Sequence, residues 1–436
     1  MSNFHRSQVD ILEKLKIKAL NPMQKDALEA IKTSSEVVLL SPTGTGKTLA
    51  FLLPIIENLD SNCPEIQVLI LVPSRELAIQ INQVIRDMGS GFKTNAVYGG
   101  KSGSKDRMEL KHRPAILVGT PGRVADHLRR HTFSTEFIKT LVLDEFDKSL
   151  EVGFEVEMKD ILSSLFNLEK RILTSATKGV EIPKFVGLKD PSLVNNLKKG
   201  ESKLKLKTIL SPAKDKLPTL ADALSHIGNK SGIIFCNYKD SIQRVSDFLT
   251  EKNIPHGCFY GGMEQIDRER TLLKFRNGTH QLIIATDLAA RGIDVQEIQF
   301  ILHYQLPFRK EEFTHRNGRT ARMNANGTAY ILQWEEESLP DFIGEAEVEE
   351  IKDAPLPKLP KWKTLFISGG RKDKISKGDI AGLFFKQGKL EKAELGVIEL
   401  KDDCAFVAVP AKKAFQLCQQ LNNYRLKTKK VRVRIV

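Results

Sequence analysis

The chain has 436 residues, room for about three domains at ~150 residues each. Its 41% hydrophobic and 28% charged content excludes collagen-like, low-complexity and wholly disordered classes. Lys and Arg exceed Asp and Glu by 13, and residues 361–436 alone hold 18 basic against 7 acidic side chains. That asymmetry points to a polyanion-binding appendage on a nearly neutral body. A solubilising tail is the plainer alternative, but alternating apolar and basic residues fit it less well. No apolar run approaches the ~20 residues of a membrane span. The first ten residues lack the apolar stretch of a secretory leader. Five scattered cysteines (Cys63, Cys236, Cys258, Cys404, Cys418) form no CxxC pair, so a reducing cytoplasm is expected and structural zinc is not.

In chain order, short apolar runs alternate with helix-length amphipathic stretches. The first set is 36–40, 68–72, 95–98, 115–118, 140–143 and 171–173. The second is 232–236, 257–260, 281–285, 300–304 and 328–332. Such bounded runs predict strands of parallel sheets, hence an α/β fold with two tandem domains. The stretch 189–218 is rich in Lys, Ser and Pro and reads as an interdomain connection. Residues 356–360 read as a stiff linker. The tail then predicts strand 364–368, helix 377–386, strands 396–400 and 404–409, helix 412–423 and strand 430–436, a βαββαβ order and a C-terminal α+β domain. The expected domains are 1–200, 201–350 and 363–436, with 351–362 as linker.

Chemistry concentrates just after the strands, where open α/β sheets hold ligands. After the first run comes Ser41-Pro42-Thr43-Gly44-Thr45-Gly46-Lys47-Thr48. Glycines let backbone N–H groups turn around phosphate oxygens. Lys47 supplies a point charge, and the Thr48 hydroxyl can reach Mg2+. Ser41 replaces the first Gly of the strict pattern without touching those ligands. After 140–143 comes Asp144-Glu145-Phe146-Asp147. Asp144 can hold the metal, through water, and Glu145 can orient and deprotonate an attacking water. No second GK[ST] follows any later strand, so one nucleotide is expected. His315, Arg319 and Arg322 are spaced i, i+4, i+7, which on a helix places them on one face, with Arg316 pointing elsewhere. His127 and His131 are also i, i+4, but no Glu lies between them, so no metal site is read there.

With these motifs the chain resembles the DEAD-box RNA helicases across about residues 4–335. Pro73-Ser74-Arg75-Glu76-Leu77-Ala78, Gly99-Gly100, Thr120-Pro121-Gly122-Arg123, Ser175-Ala176-Thr177, Ala285-Thr286-Asp287, Ala290-Arg291-Gly292-Ile293-Asp294 and His315-Arg316-Asn317-Gly318-Arg319-Thr320-Ala321-Arg322 follow the family's order. The box is spelled with Phe146 in place of Ala, and Gln305 stands where the family often has Asp. The resemblance implies two RecA-like domains, an RNA-stimulated ATPase, ATP with Mg2+, and RNA as partner. It implies that Gln24 reads adenine and that Phe4 stacks on it. Thr43, Gly44, Thr45, Gly46, Lys47 and Thr48 would hold the phosphates and metal, and Asp294 the ribose. Arg319 and Arg322 would act as arginine fingers, while Asp147, Ser175, Thr177 and His315 couple the domains. RNA would lie on Arg75, Gly100, Thr120, Arg123, Arg268 and Thr286.

The stretch from Leu365 through Gly369-Gly370-Arg371-Lys372-Asp373-Lys374 resembles the C-terminal RNA-binding domain of DbpA-type helicases, a relative of the RRM. The resemblance implies recognition of structured large-subunit ribosomal RNA, with Arg371, Lys372 and Lys374 as phosphate contacts. Phe366 and Phe406 occupy places where an RRM stacks bases, and they suit either stacking or packing. Lys430, Arg432 and Arg434 are expected on one face of a last strand, as an RNA contact or as a charged, solvated edge. Unwinding of short duplexes is the expected output; an ATP-gated RNA clamp is the alternative.

Overall fold

Runs such as Val68–Leu71 and Ile116–Gly119 are buried along their whole length, the pattern of strands covered on both faces. In the computed structural model, which describes residues 6–42, 44–100, 103–151, 153–176, 182–197, 204–287, 298–320, 327–344 and 346–436, they build a seven-stranded parallel sheet. Its strands are β1 (Glu36–Leu40), β2 (Val68–Leu71), β3 (Thr94–Val97), β4 (Ile116–Gly119), β5 (Thr140–Leu143), β6 (Lys170–Ser175) and β7 (Ser192–Asn195). The order is β3-β4-β2-β5-β6-β1-β7. Successive residues enter opposite cores: Val37, Leu39, Val68 and Ile70 on one face, Val38, Leu69 and Leu71 on the other.

A second unit starts at Leu204. Its first sheet contains β8 (Leu204–Ser211), β9 (Gly232–Phe235), β10 (His256–Phe259), β11 (Leu282–Ala285), β12 (Phe300–His303), β13 (Gly327–Trp334) and β14 (Glu347–Val348). All pairs are parallel, in the order β10-β11-β9-β12-β13-β8-β14. Numbered within each lobe, both sheets run 3-4-2-5-6-1-7.

The C-terminal domain, in this same unit, adds β15 (Trp362–Ile367), β16 (Ile398–Leu400), β17 (Ala405–Pro410), β18 (Arg425–Leu426), β19 (Lys429–Lys430) and β20 (Val433–Ile435). Antiparallel strands β16-β17-β15-β20 form its sheet, and β18-β19 form a separate hairpin. Helices Lys377–Lys386 and Ala414–Leu421 pack on one face, against Leu365, Ile367, Val407 and Val409. Before it, the segment 351–360 lies against the second lobe: Lys352 N–H donates to His226 Nδ1 at 3.1 Å and Lys358 N–H to Asn229 Oδ1 at 2.6 Å.

Three expectations are corrected. The stretch 189–218 is not a plain connection, because β7 and β8 lie in it; β8 pairs with β13 along eight residues. The last strand is broken: Lys430 belongs to the hairpin and Arg434 to the sheet, so Lys430, Arg432 and Arg434 do not line one strand. The helix carrying His315 spans Lys310–Asn317 and is capped by Gly318, so Arg319 sits beyond its end.

Candidate active site

The phosphate loop follows β1. Gly44 and Gly46 take φ of 83° and 87°, a left-handed conformation that only glycine adopts freely. Gly46 caps the helix Lys47–Glu57 without any side-chain bond, which leaves that helix's first N–H groups for an anion. Buried Lys47 donates from Nζ to the carbonyls of Ser41 (2.6 Å) and Pro42 (2.9 Å). Burial pushes its pKa down to about 8, against the opposing pull of Asp144 and Glu145. Asn21 and Gln24 form a reciprocal cap on the helix Pro22–Thr33. Asn21 Nδ2 donates to Thr45 O at 3.0 Å and Gln24 Nε2 to Gly46 O at 3.3 Å. Gln24 is thus brought onto the loop with both amide atoms engaged; pairing with adenine would release them.

The acidic box follows β5. Asp144 is buried, accepts a hydrogen bond from Thr174 Oγ1, and has its pKa raised to about 6 by burial and then by the charge of Glu145. Glu145 is left-handed, with φ 48°. Its N–H donates to Thr174 Oγ1 at 3.2 Å, and its carboxylate pairs with fully buried Lys148 at 2.7 Å. Phe146 fills the apolar cluster beneath the sheet, which accounts for a large residue at that place in the box. Asp147 and Ser175 are buried, and Ser41 N–H donates to Ser175 O at 3.0 Å. Strands β5, β6 and β1 are neighbours, so these groups share one half of the sheet's carboxyl edge.

The other half, β3-β4-β2, carries the expected RNA residues. Arg75 opens the helix Arg75–Met88 after β2, and its guanidinium lies so close to Gly99 that a Cβ there would be 3.3 Å from Nη2. Gly100 is left-handed at φ 84°. Thr120 caps the helix Pro121–Arg129 with no side-chain bond of its own. Arg123 is oriented by Asp106 (3.0 Å) and Asp126 (3.1 Å). In the second lobe, Arg268, on the helix Gln265–Arg276 after β10, and Thr286, after β11, follow the strands that match β3 and β4. Arg268 is buried over the Phe259 ring (4.4 Å) and donates to Tyr260 O at 3.1 Å, while Thr286 follows β11. Arg319 is buried, with Nε 3.4 Å from His315 O, and His315 is half-buried. Phe4, Thr43, Thr177, Asp294 and Arg322 lie outside the described residues.

Sequence reasoning set Arg316 aside, yet it is the hub of the second lobe. It is buried and forms a fork on Asp287 (2.6 and 2.5 Å), and it donates to Gln305 O (2.6 Å) and Asn237 Oδ1 (2.7 Å). Gln305 Oε1 accepts from Asn237 N–H at 2.8 Å, so this departure from the family pattern is built into the same network. In the tail, Arg371, Lys372 and Lys374 are exposed on a turn that needs Gly370: a Cβ there would meet Asp402 backbone at 2.5 Å. Lys427 donates to Lys374 O (2.7 Å) and Lys429 to Asp373 (2.8 Å), which joins two basic clusters that are over fifty residues apart in sequence.

Comparison with known proteins bears on this architecture. The DEAD/DEAH box helicase family matches residues 21–184, the helicase conserved C-terminal domain 215–324, and the DbpA RNA binding domain 364–435. The ATP-dependent RNA helicase DbpA of Bacillus subtilis (strain 168) is 31% identical over 476 residues, covering 99% of both chains. The Escherichia coli (strain K12) protein of that name is 32% identical, covering 99% of this chain and 97% of its own. The chain belongs to the DEAD-box ATP-dependent RNA helicases of the DbpA type. Among solved structures, Mss116 bound to ssRNA and UDP-BeF aligns with a TM-score of 0.70 at 24% identity, over 81% of this chain and 79% of that one. S. cerevisiae Dbp5 bound to RNA and ADP BeF3 aligns at 0.68 and 23%, over 78% and 93%. These two likenesses establish the fold.

As a DEAD-box helicase the chain is an RNA-stimulated ATPase that takes ATP, with Mg2+ as its usual cofactor. Its residues fit both. A helix start capped only by backbone suits phosphate oxygens. The Thr48 hydroxyl and the Asp144 carboxylate are hard oxygen donors of the kind Mg2+ prefers. Burial disfavours an ionised Asp144 until a cation compensates it. Among the described residues, no cluster of three His, Cys, Asp or Glu could hold a structural metal, and no helix is long and apolar enough to cross a membrane.

Proposed function

We propose that this DEAD-box helicase remodels short duplexes in structured ribosomal RNA during large-subunit assembly in the cytoplasm. Lys47 and the loop Thr43–Thr48 hold the ATP phosphates, Gln24 and Phe4 the base, and Asp294 the ribose. Thr48 and Asp144 hold Mg2+, which when bound offsets phosphate charge. Glu145 orients the attacking water and takes its proton. Arg319 and Arg322 supply planar, permanently charged forks for the transferring phosphoryl group. Arg75, Gly100, Thr120, Arg123, Arg268 and Thr286 contact RNA backbone, which carries little base information. Arg371, Lys372 and Lys374 grip the RNA through the tail. Asp147, Ser175, Thr177 and His315 couple hydrolysis to domain movement. The working domains are taken as 1–200, 201–350 and 363–436, joined by 351–362.

The observation that carries the enzymatic part is the placement of Lys47 after β1 and of Asp144 and Glu145 after β5, two strands separated only by β6 in the sheet. Ribosomal RNA as target is supported by the match to the DbpA RNA binding domain and by the basic turn at Gly370. The test measures ATP hydrolysis with intact ribosomal RNA, its fragments and unrelated structured RNA. Stimulation by one ribosomal fragment is expected, and Glu145→Gln should lower turnover by about 10²–10⁴ while ATP binding persists. Equal stimulation by unrelated RNA would remove the ribosomal assignment.

A further inference from the structure

Four neighbouring strands of the second lobe, β10-β11-β9-β12, run parallel, so the segments after them leave the same edge of the sheet. Tyr260 follows β10 and Thr286 follows β11, while Tyr238 and Phe308 lie in the segments after β9 and β12. Two of these aromatic rings face water. Tyr238 is 57% and Phe308 68% exposed, and their centroids lie 6.3 Å apart. A single exposed aromatic is ordinary on a protein surface. A touching pair on adjacent strand ends, with neither ring in the core, is not explained by packing.

The backbone beneath the pair is fixed. Asn237 N–H donates to Gln305 Oε1 at 2.8 Å and Asn237 Nδ2 to Leu306 O at 2.8 Å, which ties the two segments together. Phe308 N–H donates to Glu312 Oε2 at 3.1 Å. Rings mounted this way need little further ordering to receive a ligand. The pair also continues toward the residues expected to hold RNA. Arg268 Nη1 donates to Tyr260 O at 3.1 Å, and Lys239, the neighbour of Tyr238 in sequence, holds its ammonium 5.5 Å from the centre of the Tyr260 ring. Arg309 and Lys310 follow Phe308 and are exposed. The nearby carboxylates Asp240, Glu311 and Glu312 sit in the first turns of the helices Lys239–Glu251 and Lys310–Asn317, where the helix N-terminus offsets their charge. Exposed rings interleaved with cations make a surface that follows phosphates and stacks bases.

We propose that Tyr238 and Phe308 form a stacking site for one unpaired nucleobase of single-stranded RNA, continuing the backbone track of Arg268 and Thr286. The inference rests on reading those two residues as RNA contacts. A base inside a regular duplex has both faces covered by its neighbours. The site therefore takes a base only from a single-stranded stretch or from a strand that has left its partner. Every base has such a face, so the site adds affinity without reading base identity.

The test compares the affinity of the full-length protein, with AMP-PNP present, for a short single-stranded oligouridine and for an abasic ribose-phosphate chain of the same length. The abasic chain keeps the phosphates and removes the stacking faces. In Tyr238→Ala/Phe308→Ala the parent's preference for the intact strand should fall by about fivefold or more, the loss expected for one stacked base, while affinity for the abasic chain stays within about twofold. An undiminished preference overturns the proposal. So does an equal loss on both probes, which would show that the pair serves the backbone or the fold. Tyr238→Phe/Phe308→Tyr keeps both rings and should keep the parent's preference; a fall there of the same size as in the alanine variant would show that stacking is not what the rings supply. Arg268→Ala separates the underlying reading. It should weaken binding of both probes, and unchanged affinity for both would discard the backbone track, while the comparison of intact and abasic strands still decides the stacking.

Discussion

The two helicase lobes share a strand order, yet only one holds a phosphate loop. After β1 the chain reads Ser41-Pro42-Thr43-Gly44-Thr45-Gly46-Lys47-Thr48; from the last residue of β8 it reads Ser211-Pro212-Ala213-Lys214-Asp215-Lys216-Leu217-Pro218. Both segments lead into a helix, Lys47–Glu57 and Leu217–Ile227. The first has two left-handed glycines and the second has no glycine. The second turn instead closes on itself: Ser211 Oγ donates to Ala213 O at 2.8 Å and sits 2.9 Å from the Thr219 hydroxyl. Lys216 turns to structure, donating to Leu332 O (2.9 Å) and pairing with Glu337 (3.1 Å). The fold therefore supplies a helix start at the end of its first strand twice. Glycine conformation decides which becomes a cradle.

Truncating each of the two lysines tests this contrast most severely. Lys47→Ala should cut ATP hydrolysis by about 10³, whereas Lys216→Ala should leave it within twofold. The latter should lower stability of the second lobe by about 1–2 kcal/mol in urea unfolding. A comparable loss of hydrolysis in both variants would erase the distinction. Next in size is the Arg316 hub of the second lobe. Arg316→Met strands Asp287 and should cost about 3–5 kcal/mol, read as a lowered melting transition of that lobe. A loss under about 1 kcal/mol would show the network to be ornamental to stability. The third concerns acid. His303 ends β12 where Leu143 ends β5, and burial, followed by the charge of Arg316, pushes its pKa down to about 3. Between about pH 3 and 6.5 the unfolded chain binds the extra proton. The contribution is thus complete above pH 6.5 and declines as pH falls through that window, by roughly 2–3 kcal/mol at pH 4.5. His303→Gln, which keeps a donor for Asn317, should flatten the acid limb of second-lobe stability measured by urea titration at several pH values. An unaltered limb would place the acid sensitivity elsewhere.

The apolar strands were legible because burial on both sides leaves a continuous signature, and the loop and box were legible because their chemistry is local in sequence. What escaped was set by distance or by mixed character. β8, Leu204–Ser211, interleaves lysines with apolar residues, and composition outweighed its period-two pattern. Arg316 offered no sign of its role, since its partner Asp287 is 29 residues away at the end of another strand. The end of the helix before Arg319 did have a readable mark in Gly318, a common helix terminator. Thr364 looked like an ordinary strand residue; its cover comes from a loop 85 positions upstream.

The carboxyl edge of the first sheet has one further implication. Asp144 N–H donates to Leu71 O at 3.0 Å, and Val72 N–H to Gly119 O at 3.0 Å. The backbone of the carboxylate box is thus one rung from the strand that leads to Arg75, and that strand is one rung from the one that leads to Thr120. Two backbone hydrogen bonds thus link the end of the sheet that carries Arg75 and Thr120 to the end that carries Asp144. Substitutions that loosen those rungs should therefore blunt responsiveness to RNA sooner than they blunt basal burning of ATP.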